Sequence, residues 1–381
     1  MKVIVVGAGS FGSWSALKLQ QAGCNVVLVD AWGPGNSRSS SGGETRVIRT
    51  VYGHDSMYVE MARQCIDEWN HFQTAAQASL MEMTGSLWFC GEDDSYVQAA
   101  IPSIKSVGLE MQEYSKEEAS SRWPQINFEG LNKIFLEPLA GFLRARLACS
   151  VLTREFVKQG GEFVQGCVKA PRLDSPCHKI ELESGETFTA DQIVFAAGPW
   201  LKKLLAAQLA SLIQVSRQEV YYVGTPAGRR EYESDQCPIW LDLNQPIYYG
   251  IPSVDRRGFK LARDERGEEF DPDIDHRFAT AELVTQATEY LRFRFPGLGN
   301  APLQESRVCQ YSNTLDGHFI LDRIVPSGLV IVGGGSGHGF KMGPAIGKRV
   351  VDLIQRDEID SAFALNRFDS INKKSTQFDH S

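Results

Sequence analysis

Residues 1–30 read MKVIVVGAGSFGSWSALKLQQAGCNVVLVD, and this segment sets the architecture that the rest of the chain follows. Residues 2–6 are rich in β-branched side chains, which is typical of a strand buried on both faces of a parallel sheet. A helix is predicted for residues 13–22 and a second strand for residues 25–29, which leads into Asp30. The order strand, glycine loop, helix and strand predicts a βαβ unit that binds a dinucleotide.

The loop between the first strand and the helix, residues 7–12, has the pattern G-x-G-x-x-G. Gly7 suits the tight turn, Gly9 lets a pyrophosphate approach the backbone, and Gly12 lets helix and strand pack closely. The pattern alone also occurs in flexible glycine turns, but here Asp30 ends the second strand, where a carboxylate can bind ribose hydroxyls. An acidic residue disfavours a 2′-phosphate, so the sequence predicts NAD or FAD and not NADP.

Length and composition narrow the classes of protein further. The 381 residues are enough for two domains, and a net charge of −8 argues against nucleic acid or an anionic membrane surface as a partner. No stretch approaches the roughly 18 apolar residues of a membrane span, so we expect a cytoplasmic protein. The eight cysteines form no C-x-x-C and no cluster with histidine. We therefore expect no metal, no disulfide framework and mostly buried, reduced thiols.

Two arginines follow the second strand of the βαβ unit. Residues 31–44 are rich in Gly, Ser and Asn, which predicts a loop beside the cofactor. Arg46 and Arg49 come next, three residues apart, and would share one face of a helical turn. They could be solvated surface residues, but their position after a cofactor loop and among apolar residues favours a role in binding an anion.

Periodicity and turn residues predict the remaining elements. Helices are predicted for residues 58–72, 97–107, 147–160, 281–293 and 342–355. Strands are predicted for residues 85–90, 162–168, 179–182, 218–223, 247–251, 258–262 and 328–332, with a strand pair around a Gly141 turn at 131–145.

Two further glycine turns follow buried strands. Residues 190–200 form a strand that ends in Ala-Ala-Gly, which indicates either close approach to a cofactor or simply a turn of small residues. Residues 328–332 lead into the glycine-rich loop 333–339 and then a helix, without the G-x-G-x-x-G spacing. The dipole of that helix could stabilise negative charge on a bound ring system.

Several blocks occur in the same order as in a known family. They are the N-terminal glycine fingerprint, Gly43-Glu44-Thr45-Arg46-Val47-Ile48-Arg49 with Tyr52-Gly53, Ile247-Tyr248-Tyr249-Gly250, Lys260, Arg307-Val308-Cys309-Gln310-Tyr311 with Thr314-Leu315-Asp316, and Ser336-Gly337-His338-Gly339-Phe340-Lys341. Over essentially its whole length the chain resembles the monomeric sarcosine oxidase family. That family belongs to the D-amino-acid-oxidase-like FAD amine oxidases, with N-methyltryptophan, pipecolate and fructosyl-amino-acid oxidases.

We expect an α/β fold: a Rossmann-like FAD-binding domain and a substrate domain with a mixed, largely antiparallel sheet and helices. The FAD-binding domain is predicted to be discontinuous, with residues 1–85, 146–215 and 310–381. Residues 86–145 and 216–309 are predicted to form the substrate (catalytic) domain.

The resemblance implies a set of cofactor-binding residues. They are Gly7, Gly9, Gly12, Asp30, Ser41, Thr45, Arg46, Val168, Gly337, Gly339 and Lys341. Arg46 would lie close to the isoalloxazine ring, and the backbone of Val168 would contact the adenine side. Cys309 resembles the cysteine that carries FAD covalently through the flavin 8α-methyl group, although a buried thiol is the usual fate of a cysteine.

The resemblance also implies the residues that act on substrate and oxygen. They are Arg49, His54, Tyr249, Lys260, Asp264, Tyr311 and Lys341. Arg49 and Lys341 would clamp a substrate carboxylate, while the two tyrosines line the cavity. Lys260 resembles the lysine near flavin N5, where its positive charge would stabilise the anion that develops as oxygen is reduced.

Two positions depart from the family pattern. Sarcosine oxidase has a histidine four residues after the lysine, where this chain has Asp264, which could receive a substrate amine or hydroxyl groups. Where sarcosine oxidase pairs a glutamate with its carboxylate-binding arginine, this chain has His54. Both changes alter the charge around the pocket, so sarcosine itself is not the expected best substrate.

The function predicted from the resemblance is an FAD-dependent oxidase of a secondary or N-substituted amino acid. The C–H beside the amine would give a hydride to flavin N5, the imine would hydrolyse, and O2 would become H2O2. Alternatives are oxidation of fructosyl amino acids or of cyclic imino acids such as proline and pipecolate, or a dehydrogenase with another acceptor. A non-enzymatic flavin-binding subunit would not need the cationic pocket, and an NAD-dependent dehydrogenase would leave Cys309 without a purpose. We expect a monomer.

Overall fold

The computed structural model describes residues 1–370. Its strands are β1 (Lys2–Val6), β2 (Asn25–Asp30), β3 (Thr45–Ile48), β4 (Met81–Glu82), β5 (Ser86–Cys90), β6 (Gln112–Tyr114), β7 (Lys133–Glu137), β8 (Gly141–Arg144), β9 (Glu162–Gln165), β10 (Lys179–Glu181), β11 (Thr187–Thr189), β12 (Gln192–Phe195), β13 (Ile213–Val223), β14 (Ile239–Asp242), β15 (Tyr248–Ile251), β16 (Phe259–Arg263), β17 (Leu303–Thr314), β18 (Ile320–Ile324) and β19 (Leu329–Gly333).

The α-helices of the same residues include every helix predicted from the sequence, with ends shifted by at most a few residues. They are α1 (Ser10–Gln21), α2 (Ser56–Ala75), α3 (Ser95–Ser106), α4 (Lys116–Arg122), α5 (Ala145–Lys158), α6 (Leu201–Leu204), α7 (Ala206–Leu209), α8 (Ala281–Arg294) and α9 (Gly343–Arg356).

The first sheet has six strands in the order β18-β19-β12-β1-β2-β9. All neighbours in it are parallel except β18 and β19. The strand β1 lies inside this sheet with Val3, Ile4 and Val5 fully buried, as its apolar run predicts. The helix α1 packs against α9 and α5. The predicted Rossmann-like unit is confirmed.

The second sheet has eight strands in the order β17-β13-β16-β15-β14-β5-β7-β6. Its strands pair antiparallel except β14 with β5, which are parallel. The prediction of a mixed, largely antiparallel sheet is therefore confirmed. Its longest ladder joins β13 to β17 and runs from Ile213 opposite Thr314 to Val223 opposite Leu303.

A three-stranded sheet, β3-β8-β4, corrects two sequence predictions. The segment with Arg46 and Arg49 does not form a helical turn: Thr45–Ile48 is a strand that pairs with β8, as its β-branched residues favour. Two strands form at 131–145 as predicted, but they do not pair, because β7 joins the large sheet and β8 joins this one. Gly141 permits close strand approach here, since a Cβ on it would lie 2.0 Å from the Glu82 carbonyl oxygen.

The expectation of mostly buried, reduced thiols agrees with the structure. All eight cysteines are free, and five of them are buried. No group of three or more His, Cys, Asp or Glu among these residues could hold a metal ion. No helix in the same part of the chain has the length and apolar character to cross a membrane. The proposed domain division stays a prediction, and residues 371–381, which it assigns to the first domain, lie outside the described part.

Candidate active site

The glycine loops of the first sheet converge on one cavity of about 220 Å³, which we call the glycine-loop cavity. Its walls include Gly7, Gly9, Asp30, Ser41, Arg46, Val168, Ala196, Gly198, Trp200, Tyr311, Ser312, Gly335, Gly337 and Gly339. The turn at 196–198 and the loop at 333–339 therefore face the same space as the N-terminal fingerprint, which favours the cofactor alternative of the two that the sequence left open for the turn.

The fingerprint glycines are required by close backbone contacts. Gly7 has φ +107°, and a Cβ on it would lie 2.5 Å from the Ala196 carbonyl oxygen. A Cβ on Gly12 would lie 1.8 Å from the carbonyl oxygen of Gly7, so any side chain there would push α1 away from the loop. At Gly9 the nearest atom to such a Cβ is the Ser41 hydroxyl at 3.3 Å. Gly7 and Gly9 also line the cavity, so the loop presents backbone without side chains at these two positions.

Asp30 organises the loops around this cavity. Its carboxylate accepts hydrogen bonds from the backbone N–H of Ala8 at 2.7 Å, of Trp32 at 2.9 Å and of Gly33 at 2.8 Å. Burial raises the pKa of the Asp30 carboxyl, and these three donors act against that rise. The residue thus ties the fingerprint loop to the loop after β2 while it also lines the cavity.

A second cavity of about 60 Å³ brings together most of the predicted site residues, and we call it the inner cavity. Its walls include Arg46, Val47, Arg49, Val220, Leu241, Tyr249, Lys260, Ala262, Asp264, Cys309, Tyr311, Gly337, His338, Phe340 and Lys341. Four residues, Arg46, Tyr311, Gly337 and Phe340, line both cavities, which are therefore adjacent.

Strand geometry explains why these side chains meet. Lys260, Ala262 and Asp264 are alternate residues along β16 and its continuation, so their side chains point to the same face of the sheet. Cys309 and Tyr311 have the same relationship on β17. Both strands flank β13 in the large sheet. One face of this sheet therefore forms a wall of the inner cavity.

Two buried cations occupy one end of the inner cavity. Arg49 is 2% exposed and Lys341 is 3% exposed. Lys341 lies in the short turn before α9, where its Nζ donates to the His338 carbonyl at 3.0 Å. Trp69 Nε1 on α2 donates to the Lys341 carbonyl at 2.9 Å and so fixes the turn. Burial, and then the charge of Arg49, lower the pKa of Lys341 well below its ordinary value.

Tyr52 supports both of these cations. The Arg49 guanidinium lies 4.5 Å and the Lys341 ammonium 5.2 Å from the centre of its ring, within the range of cation–π attraction. The Tyr52 hydroxyl lies 3.3 Å from Nδ1 of His338, whose Nε2 lies 3.0 Å from the Gly317 carbonyl oxygen. Since a carbonyl only accepts, the proton is on Nε2 and Nδ1 accepts from Tyr52.

His338 is buried and neutral in this arrangement. Burial, and then the charge of Lys341, lower the pKa of His338 well below its ordinary value. Tyr52 and His338 belong to two of the motif blocks, but the sequence alone assigns no role to either residue. Their proximity, across 286 residues, follows only from the fold.

The inner cavity also contains a carboxylate. Asp264 is 7% exposed, and the Tyr311 hydroxyl donates to it at 3.3 Å. Burial, and then the charge of Asp264, raise the pKa of Tyr249 to about 12. The wall of the cavity thus carries the cations Arg49 and Lys341, the carboxylate of Asp264 and the apolar side chains of Val220, Leu241 and Ala262.

The Thr45 carbonyl oxygen holds two further cations beside Cys309. It accepts from Arg46 Nη1 at 2.8 Å and from Lys260 Nζ at 2.9 Å. Arg46 Nη2 lies 3.4 Å from the Cys309 sulfur and 2.5 Å from the Ser40 carbonyl oxygen. Lys260 is 1% exposed, and burial, then the charge of Arg46, lower its pKa well below the ordinary value. Thr45, which was predicted to bind the cofactor, does not line the glycine-loop cavity.

His54 does not join this group. It is exposed in the turn before α2 and lines neither cavity. A different carboxylate, Glu137 on β7, is buried near Arg49. Burial lowers the pKa of Arg49, but interactions with Tyr96, Tyr52 and then Glu137 raise it overall. Glu137 accepts from the Thr50 hydroxyl at 2.7 Å and from Trp88 Nε1 at 3.1 Å. Glu137 is not among the residues predicted from the sequence, because it comes from a strand 88 residues after Arg49.

Comparisons with known proteins identify the family of this chain. Residues 2–353 match the model of a family described as FAD dependent oxidoreductase (DAO). Monomeric sarcosine oxidase from Bacillus sp. (strain B-0618) is 31% identical over 376 residues, which cover 96% of this chain and 95% of that protein. N-methyl-L-tryptophan oxidase from Yersinia pestis (strain Pestoides F) is 27% identical over 377 residues, with 96% and 99% covered.

A solved structure shows the same fold. The crystal structure of L-proline dehydrogenase from P. horikoshii superimposes with a TM-score of 0.85 at 19% identity, and the match covers 98% of this chain and 99% of that one. The resemblance stated from the motif blocks is therefore confirmed, as is the predicted fold class. The chain belongs to the DAO family of FAD-dependent oxidoreductases.

Proposed function

We propose that this protein oxidises a secondary or N-substituted amino acid with FAD attached to Cys309 and with O2 as the electron acceptor. The observation that carries the proposal is the inner cavity, where two buried cations for a carboxylate adjoin the cofactor residues. The names of its relatives, a sarcosine oxidase and an N-methyl-L-tryptophan oxidase, support the same class of substrate.

The residues of the glycine-loop cavity fit FAD. Its fingerprint loop leaves room for a pyrophosphate, and Asp30 lies where an adenosine ribose would bind. The Ser312 hydroxyl also lines this cavity and is buried without a hydrogen-bond partner among residues 1–370, so it is available to the cofactor. Cys309 and Arg46, at the junction with the inner cavity, would lie at the flavin end.

Arg49 and Lys341 bind and orient the substrate carboxylate. Because both are buried, their attraction for an anion is screened little by solvent, and two converging donors also set its direction. A substrate held this way has its amine and the adjacent C–H at a fixed distance from the carboxylate. When bound, FAD would supply the oxidation, with uptake of a hydride from this C–H and transfer of the two electrons to O2 to give H2O2.

Lys260 acts on the oxygen step. Its buried ammonium is held by the Thr45 carbonyl beside Arg46, at the junction of the sheet wall and the cofactor residues. A fixed positive charge at this point stabilises the negative charge that develops on dioxygen as it takes up electrons. Hydride transfer from a neutral amine needs no strong base, so Lys260 does not have to accept a proton in that step. Its ammonium can therefore stay charged for the reaction with oxygen.

Asp264 favours a substrate with a second polar group. Its carboxylate lines the inner cavity and is 7% exposed, so its attraction for a cation or a hydrogen-bond donor of the substrate is screened little by solvent. Fructosyl amino acids bring hydroxyl groups, and some N-substituted amino acids bring an ammonium. Cyclic imino acids such as proline bring neither, which makes them weaker candidates.

Peroxide release tests the proposal. The purified yellow protein is assayed with sarcosine, other N-methyl amino acids, L-proline, L-pipecolate and fructosyl amino acids, and flavin bleaching is recorded without oxygen. We expect turnover of one class, which Arg49→Gln should abolish while the surface control Arg230→Gln retains it. A protein whose flavin none of these compounds bleaches would overturn the proposed substrate class. Bleaching without peroxide would instead identify a dehydrogenase with another acceptor.

A further inference from the structure

A third cavity, of about 330 Å³, lies behind β3, and we call it the outer cavity. It lies between the first turns of α5 and residues 252–258, which connect β15 to β16. Among the described residues, Lys260 alone lines both this cavity and the inner cavity. The lysine therefore separates two spaces, of which one contains the predicted substrate-binding residues.

The outer cavity runs from the surface to this lysine. Its rim carries Leu147, which is 45% exposed, and the side chains of Asp255 and Arg257, which are 64% and 50% exposed. Its floor is formed by Tyr222, 3% exposed, and Lys260, 1% exposed. The lining thus includes both exposed and buried residues, so the cavity opens to the surface and is not an enclosed void.

Ion pairs hold the two sides of the rim. Glu44 binds Arg257 at 2.7 Å. Across the opening, Arg144 binds Asp255 at 3.1 Å. Arg146 completes the rim and also faces Glu44, at 3.7 Å. Arg257 and Arg146 share Glu44, so three arginines face only two carboxylates, Glu44 and Asp255, and the rim keeps an excess of positive charge. Dioxygen has no charge, so this excess neither holds it nor excludes it.

We propose that the outer cavity is a separate route by which dioxygen reaches Lys260 and hydrogen peroxide leaves. The inference rests on the proposed oxidase function and adds where its second substrate enters. Dioxygen has no charge and needs no directional hydrogen bonds, so an open path to Lys260 suffices. The amino acid, by contrast, is positioned by Arg49 and Lys341 on the other side of Lys260.

Two entrances change the order of events. In the oxygen step the reduced flavin releases two electrons and one proton, solvent supplies a second proton, and O2 becomes H2O2. With a separate route this step proceeds while the oxidised amino acid still occupies the inner cavity. With one shared entrance, dioxygen would have to wait for that product to leave.

Tryptophan substitutions on the exposed face of α5 test the route. Ser150→Trp and Leu147→Trp place a large ring at the mouth of the outer cavity, and Val157→Trp, two turns after Ser150 and outside the cavity, is the matched control. Each protein is reduced with dithionite, mixed with O2 in a stopped-flow instrument, and separately reduced by substrate without oxygen. We expect about tenfold slower reoxidation in the two rim variants alone, with anaerobic reduction unchanged.

The possible results separate this proposal from the previous one. If both rim variants react with O2 as fast as the wild type, the route is wrong while the oxidase function stands. If the reduced wild type reacts no faster than free flavin, the oxidase proposal fails and the route with it. Crystals under xenon pressure give a readout that needs no activity: xenon density in the outer cavity, lost in Ser150→Trp, is expected, and xenon confined to other cavities would overturn the route.

Discussion

The Tyr52 hydroxyl lies 3.3 Å from Nδ1 of His338, while the ring of the same tyrosine lies against both Arg49 and Lys341. This contact anchors the support of the two cations that we assign to the substrate carboxylate. Tyr52→Phe keeps the ring and removes the anchor. Because one hydrogen bond contributes about 1 kcal/mol, we expect KM to rise about fivefold with little change in kcat.

Steady-state kinetics with the substrate found in the panel measure this split. Tyr58→Phe is the matched control, since the Tyr58 hydroxyl contacts His318 at 3.1 Å and lines neither cavity. A fivefold rise in both variants would mean that loss of a buried hydroxyl, and not the support of the cations, causes the effect.

Covalent attachment of FAD is tested by Cys309→Ala. The sulfur lies beside Arg46 at the junction of the two cavities, where the flavin end of the cofactor is expected. We expect acid denaturation to release the flavin from this variant but not from the wild type, as measured by absorbance of the protein pellet and supernatant. Cys167→Ala, at a cysteine that lines only the glycine-loop cavity, should retain the flavin. A flavin that stays bound in Cys309→Ala would place the linkage elsewhere.

Lys260→Met should separate the two half-reactions. Removing the buried ammonium leaves the carboxylate-binding cations intact, so anaerobic reduction by substrate should change little. Reoxidation by O2 should slow by roughly a hundredfold, because the developing negative charge loses its fixed counter-charge. Stopped-flow absorbance measures both rates, and Lys203→Met, at a surface lysine, serves as control. Equal slowing of the two steps would remove the oxygen role.

Asp264→Asn tests the role of the carboxylate in the inner cavity. The substitution keeps the shape and the acceptor for Tyr311 but removes the charge. Affinity for substrates that carry a second ammonium should fall by about tenfold, while sarcosine should be affected far less. The measurement is kcat/KM across the panel, with the exposed Asp67→Asn as control. An unchanged ranking of substrates would make Asp264 a structural residue.

The lowered pKa of Lys341 predicts how substrate binding depends on pH. The ammonium is present below that pKa and is lost as the pH rises through it, well before a solvent-exposed lysine would deprotonate. Affinity for a carboxylate is therefore complete at low pH and decreases on the alkaline side. Titration of the flavin spectrum with acetate, which cannot be oxidised, measures this. Lys341→Arg should flatten the profile because arginine stays charged, and an identical profile in that variant would contradict the assignment.

Local patterns were sufficient for the part of the site that depends on neighbouring residues. The turn at Gly7, the helix that begins after it and the position of Asp30 all lie within thirty residues. Their geometry follows from backbone constraints that glycine and β-branched residues impose. The motif blocks then placed Lys260, Cys309 and Lys341 correctly in one cavity, because matching order and spacing imply a matching fold.

Partners distant in sequence were beyond such patterns. The segment with Arg46 and Arg49 is too short for its periodicity to distinguish helix from strand, and pairing with β8, about a hundred residues later, decides it. Glu137 near Arg49, like Tyr52 against His338, depends on how the two sheets pack. The exposure of His54 has the same origin, since the sequence of the turn before α2 does not reveal which of its side chains face the cavity.

The long ladder between β13 and β17 has a consequence for how the finished protein can be recognised. Side chains alternate along β17, so a slip of one residue against β13 would turn Cys309 to the opposite side of the sheet. Under the covalent attachment proposed above, only a chain that has found the correct register can acquire its flavin. The amount of flavin that stays attached after denaturation would then measure how many molecules had folded. Flavin incorporation would therefore be a permanent record of successful folding in a population of variants.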